Sequence, residues 1–167
     1  MCCILCSPLI AAASPLGAQA TLAPTAGNHV TGTVNFEQVA ENLRISARVE
    51  GLAPGPHGFH IHQNGDCSAA DASSAGGHFN PGATQHGDPA HAAHHGGDFG
   101  NIVADADGVA SFQMSVPIAQ INLIDGSPVA VLKRAVIVHA APDDLITQPT
   151  GNSGARVACG VIALKRE

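Results

Sequence analysis

Tryptophan and tyrosine are absent from this 167-residue chain, and five phenylalanines supply all of its aromatic side chains. A core must therefore be built from Val, Ile, Leu and Ala. Charge is also scarce, at 12% of residues, with a formal net charge of -6. That balance gives no support to a nucleic-acid partner, which asks for a basic face. No apolar run approaches the roughly 20 residues that cross a bilayer as a helix, so no membrane span is expected. Heptads, solenoid periods and low-complexity tracts are missing too, which removes coiled coils and repeat arrays.

What is present suits a single all-β domain. Nineteen glycines and eleven prolines place turn signals at short intervals, favouring many short strands over long helices. HVTGTVNF, from His29, and NLRISARVEG alternate in the strand period, with Leu43, Ile45, Ala47 and Val49 on one face. Residues 19–22 fit a first strand. NIVADADGVASFQMSV reads as a hairpin turning at Asp107 and Gly108, and AVIVHA and VACGVIAL read as buried strands. Two long polar stretches, residues 64–99 and 140–155, lie between strands. Loops of such length in a small domain usually carry function.

Eight of the ten histidines fall between His57 and His95, with Asp98 closing the cluster and His139 standing apart in VIVHAAPDD. Histidine is the commonest protein ligand of transition metals. His60 and His62, two apart in HGFHIH, project from the same side of a strand toward one point. The segments HGFHIH, AGGHFNP and GNSGARVACGVI resemble those of the copper/zinc superoxide dismutases, over nearly the whole chain from about Ala18 to Leu164.

That resemblance implies a Greek-key β-sandwich or flattened barrel of about eight antiparallel strands, with the two long loops forming the site. It implies copper on His60, His62, His78 and His139, a nitrogen set suited to that metal. It implies zinc on His78, His86, His95 and Asp98, spaced by 8, 9 and 3 residues, a closed tetrahedral set. His78 would bridge both metals as an imidazolate. Asp143 would accept hydrogen bonds from one copper and one zinc histidine, and His57 would tie loops together without ligating. Arg156, in GARVAC, would hold the substrate anion, its planar fork fitting that role better than a lysine. His94, His91 and His29 are read as solvated, and Asp144 as loop charge.

Met1 to Ala20 reads as a secretory signal peptide, cleaved after Ala13 or after Ala20, although its start carries no positive charge. With the domain taken as residues 21–167, only Cys67 and Cys159 remain, and two cysteines in an exported chain read as one disulfide. Cys67 lies eleven residues before His78, and the segment after His139 is short. Both look more like bacterial family members, so export to a periplasm is expected. The expected reaction is dismutation of superoxide, with a noncatalytic metallochaperone or metal buffer on the same fold as the alternative. The sequence leaves monomer against homodimer open. No lysine or arginine occurs in residues 140–155, so weak long-range steering is expected, with Lys133 and Arg134 as the candidate sources of positive potential elsewhere.

Overall fold

A computed structural model describes residues 16–165; the start of the expected signal peptide lies outside them. The strands are β1 (Leu16–Pro24), β2 (Thr31–Val39), β3 (Asn42–Glu50), β4 (Gly55–His62), β5 (Asp98–Ala104), β6 (Ala110–Pro117), β7 (Ala135–His139), β8 (Arg156–Val161) and β9 (Ala163–Leu164). Among the described residues no helix is long and apolar enough to cross a membrane.

Eight strands close into an antiparallel barrel in the order β2, β3, β6, β5, β4, β7, β8, β1, because β1 also pairs with β2. β9 adds to β1 at Ala18 and Gln19. The neighbours β3–β6, β4–β7 and β8–β1 are not consecutive in the chain, which gives the Greek-key crossings. The expected all-β architecture is therefore present.

The interior follows from the period of two. On β3, Leu43, Ile45, Ala47 and Val49 are buried while the residues between them are exposed. They face Gln38, Phe36, Val34 and Gly32 of β2 in register. Phe59, Phe99 and Phe112 pack together in the core, with centroid separations of 5.0 to 6.2 Å. Burying each such side chain contributes about 1.5–3 kcal/mol.

β4 and β7 break the alternation, since every residue of β7 and all of β4 from His57 onward are buried. Phe59, Ile61, Val136 and Val138 belong to the barrel core, whereas Ile137 and Ala135 join a separate cluster with Ala72, Ala75 and Cys159. The long loops cover the outer side of these two strands, and that side carries His60, His62 and His139. Cys67 is bonded to Cys159 of β8, with Cα atoms 5.8 Å apart and 92 residues between them in the chain. Closing a loop of that length is worth roughly 4–5 kcal/mol in a chain-entropy account.

Candidate metal centre

Seven side chains converge on the outer face of the barrel as two buried sets that share His78. His60, His62, His78 and His139 form one, and His78, His86, His95 and Asp98 the other, with the ligand atoms within each set no more than 4.8 Å apart. His78 stands in the middle, its ring centroid 4.0 Å from that of His60, 5.0 Å from His62, 5.3 Å from His86 and 5.6 Å from His95. β4 supplies His60 and His62, β7 supplies His139, and the first long loop supplies the others up to Asp98, which opens β5.

Partners on the far side of each ring decide which nitrogen faces inward. His60 Nε2 lies 2.7 Å from Asp143 Oδ2, which leaves Nδ1. His62 Nδ1 lies 2.8 Å from the Gly76 carbonyl and His139 Nδ1 3.2 Å from that of Gly154, which leaves their Nε2 atoms. His86 Nε2 lies 3.0 Å from Asp143 Oδ1, which leaves Nδ1. Six buried nitrogens then have no hydrogen-bond partner: His60 Nδ1, His62 Nε2, His78 Nε2, His86 Nδ1, His95 Nδ1 and His139 Nε2. Buried polar atoms are rarely left unpaired. Here all six point into the two sets, which is the arrangement that a pair of cations would satisfy. The four-nitrogen set suits copper, and three nitrogens with a carboxylate suit zinc.

Electrostatics keep these nitrogens available. Burial, followed by the charge of neighbouring His78, holds His60 and His62 well below the ordinary histidine value. Burial brings His139 down to about 4 and also lowers His95. Burial alone would raise Asp98, yet hydrogen bonds from His78 and from the His95 N–H hold it well below the usual carboxylate range. At neutral pH His60, His62, His95 and His139 are therefore neutral imidazoles and Asp98 is an ionised carboxylate. Asp98 Oδ1 is 2.7 Å from His78 Nδ1, and Oδ2 is 2.8 Å from the His95 N–H.

Arg156 lies at the edge of the site, donating through its two terminal nitrogens to the carbonyls of Ala72 and Gly76 at 2.6 Å each. Gly76 O thus ties the guanidinium to His62. His57, on β4, ties the end of β7 to the connection between β3 and β4, its ring nitrogens each 2.8 Å from a carbonyl oxygen, of His139 and of Ala53.

Two sequence-based readings need correction. His94 is half-buried and not freely solvated: Nδ1 lies 2.6 Å from the His95 carbonyl and Nε2 3.2 Å from the Gln120 amide. Lys133 is offset by Asp125, with which it pairs at 3.3 Å, whereas Arg134 keeps its charge with its guanidinium over Phe79. His91 is exposed beside Asp88 as expected, and His29 is exposed.

Three supporting residues had gone unnoticed in the sequence. Gln148 accepts from the His86 N–H at 2.9 Å and donates to the His86 carbonyl at 2.8 Å. Asn101 does the same for the backbone of Asp143, at 2.7 and 2.9 Å. Gly151 sits at φ 64°, and a Cβ there would overlap Asp143 Oδ1 and crowd His86. Only Gly151 had a signal, its place in the GNSG motif.

Comparison with known proteins shows which family the chain resembles. The family model described as copper/zinc superoxide dismutase (SODC) matches residues 30–162. An extracellular superoxide dismutase [Cu-Zn] of Brugia pahangi is 42% identical over 145 residues, covering 81% of this chain and 70% of that relative.

Proposed function

This chain belongs to the copper/zinc superoxide dismutase family, and from that premise we propose that it converts superoxide to dioxygen and hydrogen peroxide at the two joined sets. The observation that carries the reading is the group of six unpartnered imidazole nitrogens arranged around a shared His78. Copper bound by His60, His62, His78 and His139 would supply one-electron exchange, and zinc bound by His78, His86, His95 and Asp98 a fixed positive charge.

The chain's own groups bring substrate and protons. Arg156 is fixed by two carbonyls at the edge of the site, and its remaining N–H groups can hold a diatomic anion in a set orientation. His78 would hold a proton at Nε2 in the half-reaction that reduces superoxide and pass it to the anion held by Arg156. Water delivers the second proton. Two superoxide anions and two protons thereby give one dioxygen and one hydrogen peroxide. Asp143, between His60 and His86, keeps both rings oriented while the proton moves.

Export is supported by the extracellular relative and by a disulfide suited to an oxidising compartment; a periplasm is the narrower proposal. Processing after Ala13 fits the barrel better than processing after Ala20. The strand β1 pairs with β2 from Leu16 onward, and Ala18 and Ala20 are fully buried. Cleavage after Ala20 would remove half of that strand.

A superoxide-consumption assay combined with metal analysis tests the activity. One copper and one zinc per chain with rapid loss of superoxide is expected. A chain so loaded that consumed none would be a metal-binding protein and not this enzyme.

A further inference from the structure

Three main-chain hydrogen bonds form a closed ring beside the metal centre. Phe79 N–H donates to the Ile61 carbonyl at 2.8 Å, Gly97 N–H to that of Phe79 at 2.8 Å, and Ile61 N–H to that of Gly97 at 2.9 Å. Each member adjoins candidate ligands: Ile61 lies between His60 and His62, Phe79 follows His78, and Gly97 precedes Asp98. A side chain at Gly97 would overlap the Ile61 carbonyl, so this approach of three segments needs glycine. The ring fixes the spacing of the segments that bring both sets together.

Arg134, the residue before β7, is fastened to this ring from outside. Its guanidinium carbon lies 3.5 Å from the centroid of the Phe79 ring. Its Nε–H donates to the Ala130 carbonyl and a terminal N–H to the Gln63 carbonyl, both at 2.7 Å. Gln63 follows His62 directly, and its own N–H donates to the Gly77 carbonyl at 2.9 Å, one residue before His78. One cation therefore grips the residues that follow His62 and His78. Stacking on an aromatic face while donating in two directions is open to a planar guanidinium and not to an ammonium.

We propose that Arg134 is a positioning residue that sets the separation of His62 and His78, whose ring centroids are 5.0 Å apart, and so allows His78 to face both sets. The proposal rests on the reading of His78 as the shared ligand.

Arg134→Leu, Arg134→Lys and Phe79→Leu test it, with Arg44→Leu on the exposed side of β3 as a control for the lost charge. The readouts are copper(II) affinity by chelator competition, the visible absorption and EPR hyperfine splitting of the copper-loaded protein, and the unfolding midpoint of the metal-free protein. Arg134→Leu should weaken copper binding about 10- to 100-fold and change both spectra. Arg134→Lys should recover part of this loss, Phe79→Leu should reproduce it, and Arg44→Leu should alter neither. If Arg134→Leu lowers the metal-free midpoint while copper affinity stays within about twofold and the spectra are unchanged, Arg134 only staples the fold and the proposal is overturned. Should Arg134→Leu not fold, Arg134→Lys and Phe79→Leu decide by the same readouts. A wild-type chain that binds copper here but consumes no superoxide would sink the proposed function alone, because these measurements follow metal binding and not turnover.

Discussion

His60 and His86 belong to different four-residue sets, yet both hydrogen-bond the carboxylate of Asp143, at 2.7 and 3.0 Å. The two sets are thus joined twice, through the His78 ring and through Asp143. Outer partners of this kind orient ligands, and their loss typically costs 10–100-fold in metal affinity. Asp143→Ala should weaken both zinc and copper by about that factor, because one ligand of each set, His86 and His60, depends on it. Asp143→Asn, which keeps one acceptor, should fall between. Chelator competition for each metal measures this, and equal zinc affinity in Asp143→Ala would contradict it.

Neighbouring histidines should behave oppositely. His95→Ala removes a nitrogen from the buried set and should release zinc. His94→Ala loses a contact with Gln120 and one with the His95 carbonyl, and should cost about 1 kcal/mol of stability with zinc retained. Zinc content of the two purified variants separates them, and the reverse pattern would show that the ligand is His94.

The Gln148 amide holds both backbone groups of His86, although Gln148 itself is exposed. Water competes for such bonds, so Gln148→Ala should cost about 1 kcal/mol. The loss should be local. Hydrogen exchange at the His86 N–H should accelerate about fivefold to tenfold while β3 amides are unchanged. Uniform acceleration would mean that Gln148 supports the whole barrel.

Acid should destabilise the metal-free protein. Burial holds His60 and His62 well below the ordinary histidine value and His139 at about 4, whereas the unfolded chain titrates near about 6.5. Between those values the unfolded chain binds more protons, so stability falls as pH falls through the window. His139 alone accounts for about 3 kcal/mol between pH 6.5 and 4, at about 1.4 kcal/mol per unit. Asp98, held low by its hydrogen bonds, extends the loss to lower pH. Urea midpoints of the metal-free protein across this range provide the check, and a flat profile would refute the assignment of neutral buried rings.

Salt dependence should be mild. Steered capture is a known property of this family, but the charge of Lys133 is offset by Asp125, which leaves Arg134, stacked on Phe79, as the one of these two residues that adds to the field. Asp144 is exposed and held by Thr147. Arg156 is the cation that remains at the site, and at short range screening does little, since the Debye length is about 10 Å at 0.1 M salt. Turnover should therefore decline gently with ionic strength, while Arg156→Glu should lower it sharply at every salt concentration. Steady-state rates over a salt series would expose a missed field as a steep decline in the wild type.

Much of the fold could be read locally. The alternation on β3, the turn at Gly108 and the buried runs of β7 and β8 are set by neighbours a few residues apart, and the structure has each of them. The pair His60 and His62 needed only the strand period to share a side. The roles of His94 and Arg134 were not legible, because they depend on Gln120 and Phe79, which are distant in the chain. Burial of a polar side chain depends on what covers it.

The sequence by itself determined which residue types could bind metal, the period that aims them and the cysteines available to anchor a loop, since these follow from side-chain chemistry and strand geometry. Tertiary structure alone decided which nitrogen of each ring faces the centre. His60 presents Nδ1 because Asp143, 83 residues away, takes Nε2, while His62 presents Nε2 because the Gly76 carbonyl takes Nδ1. An imidazole offers two nearly equivalent nitrogens, and only the partner that the fold brings to one of them makes the choice.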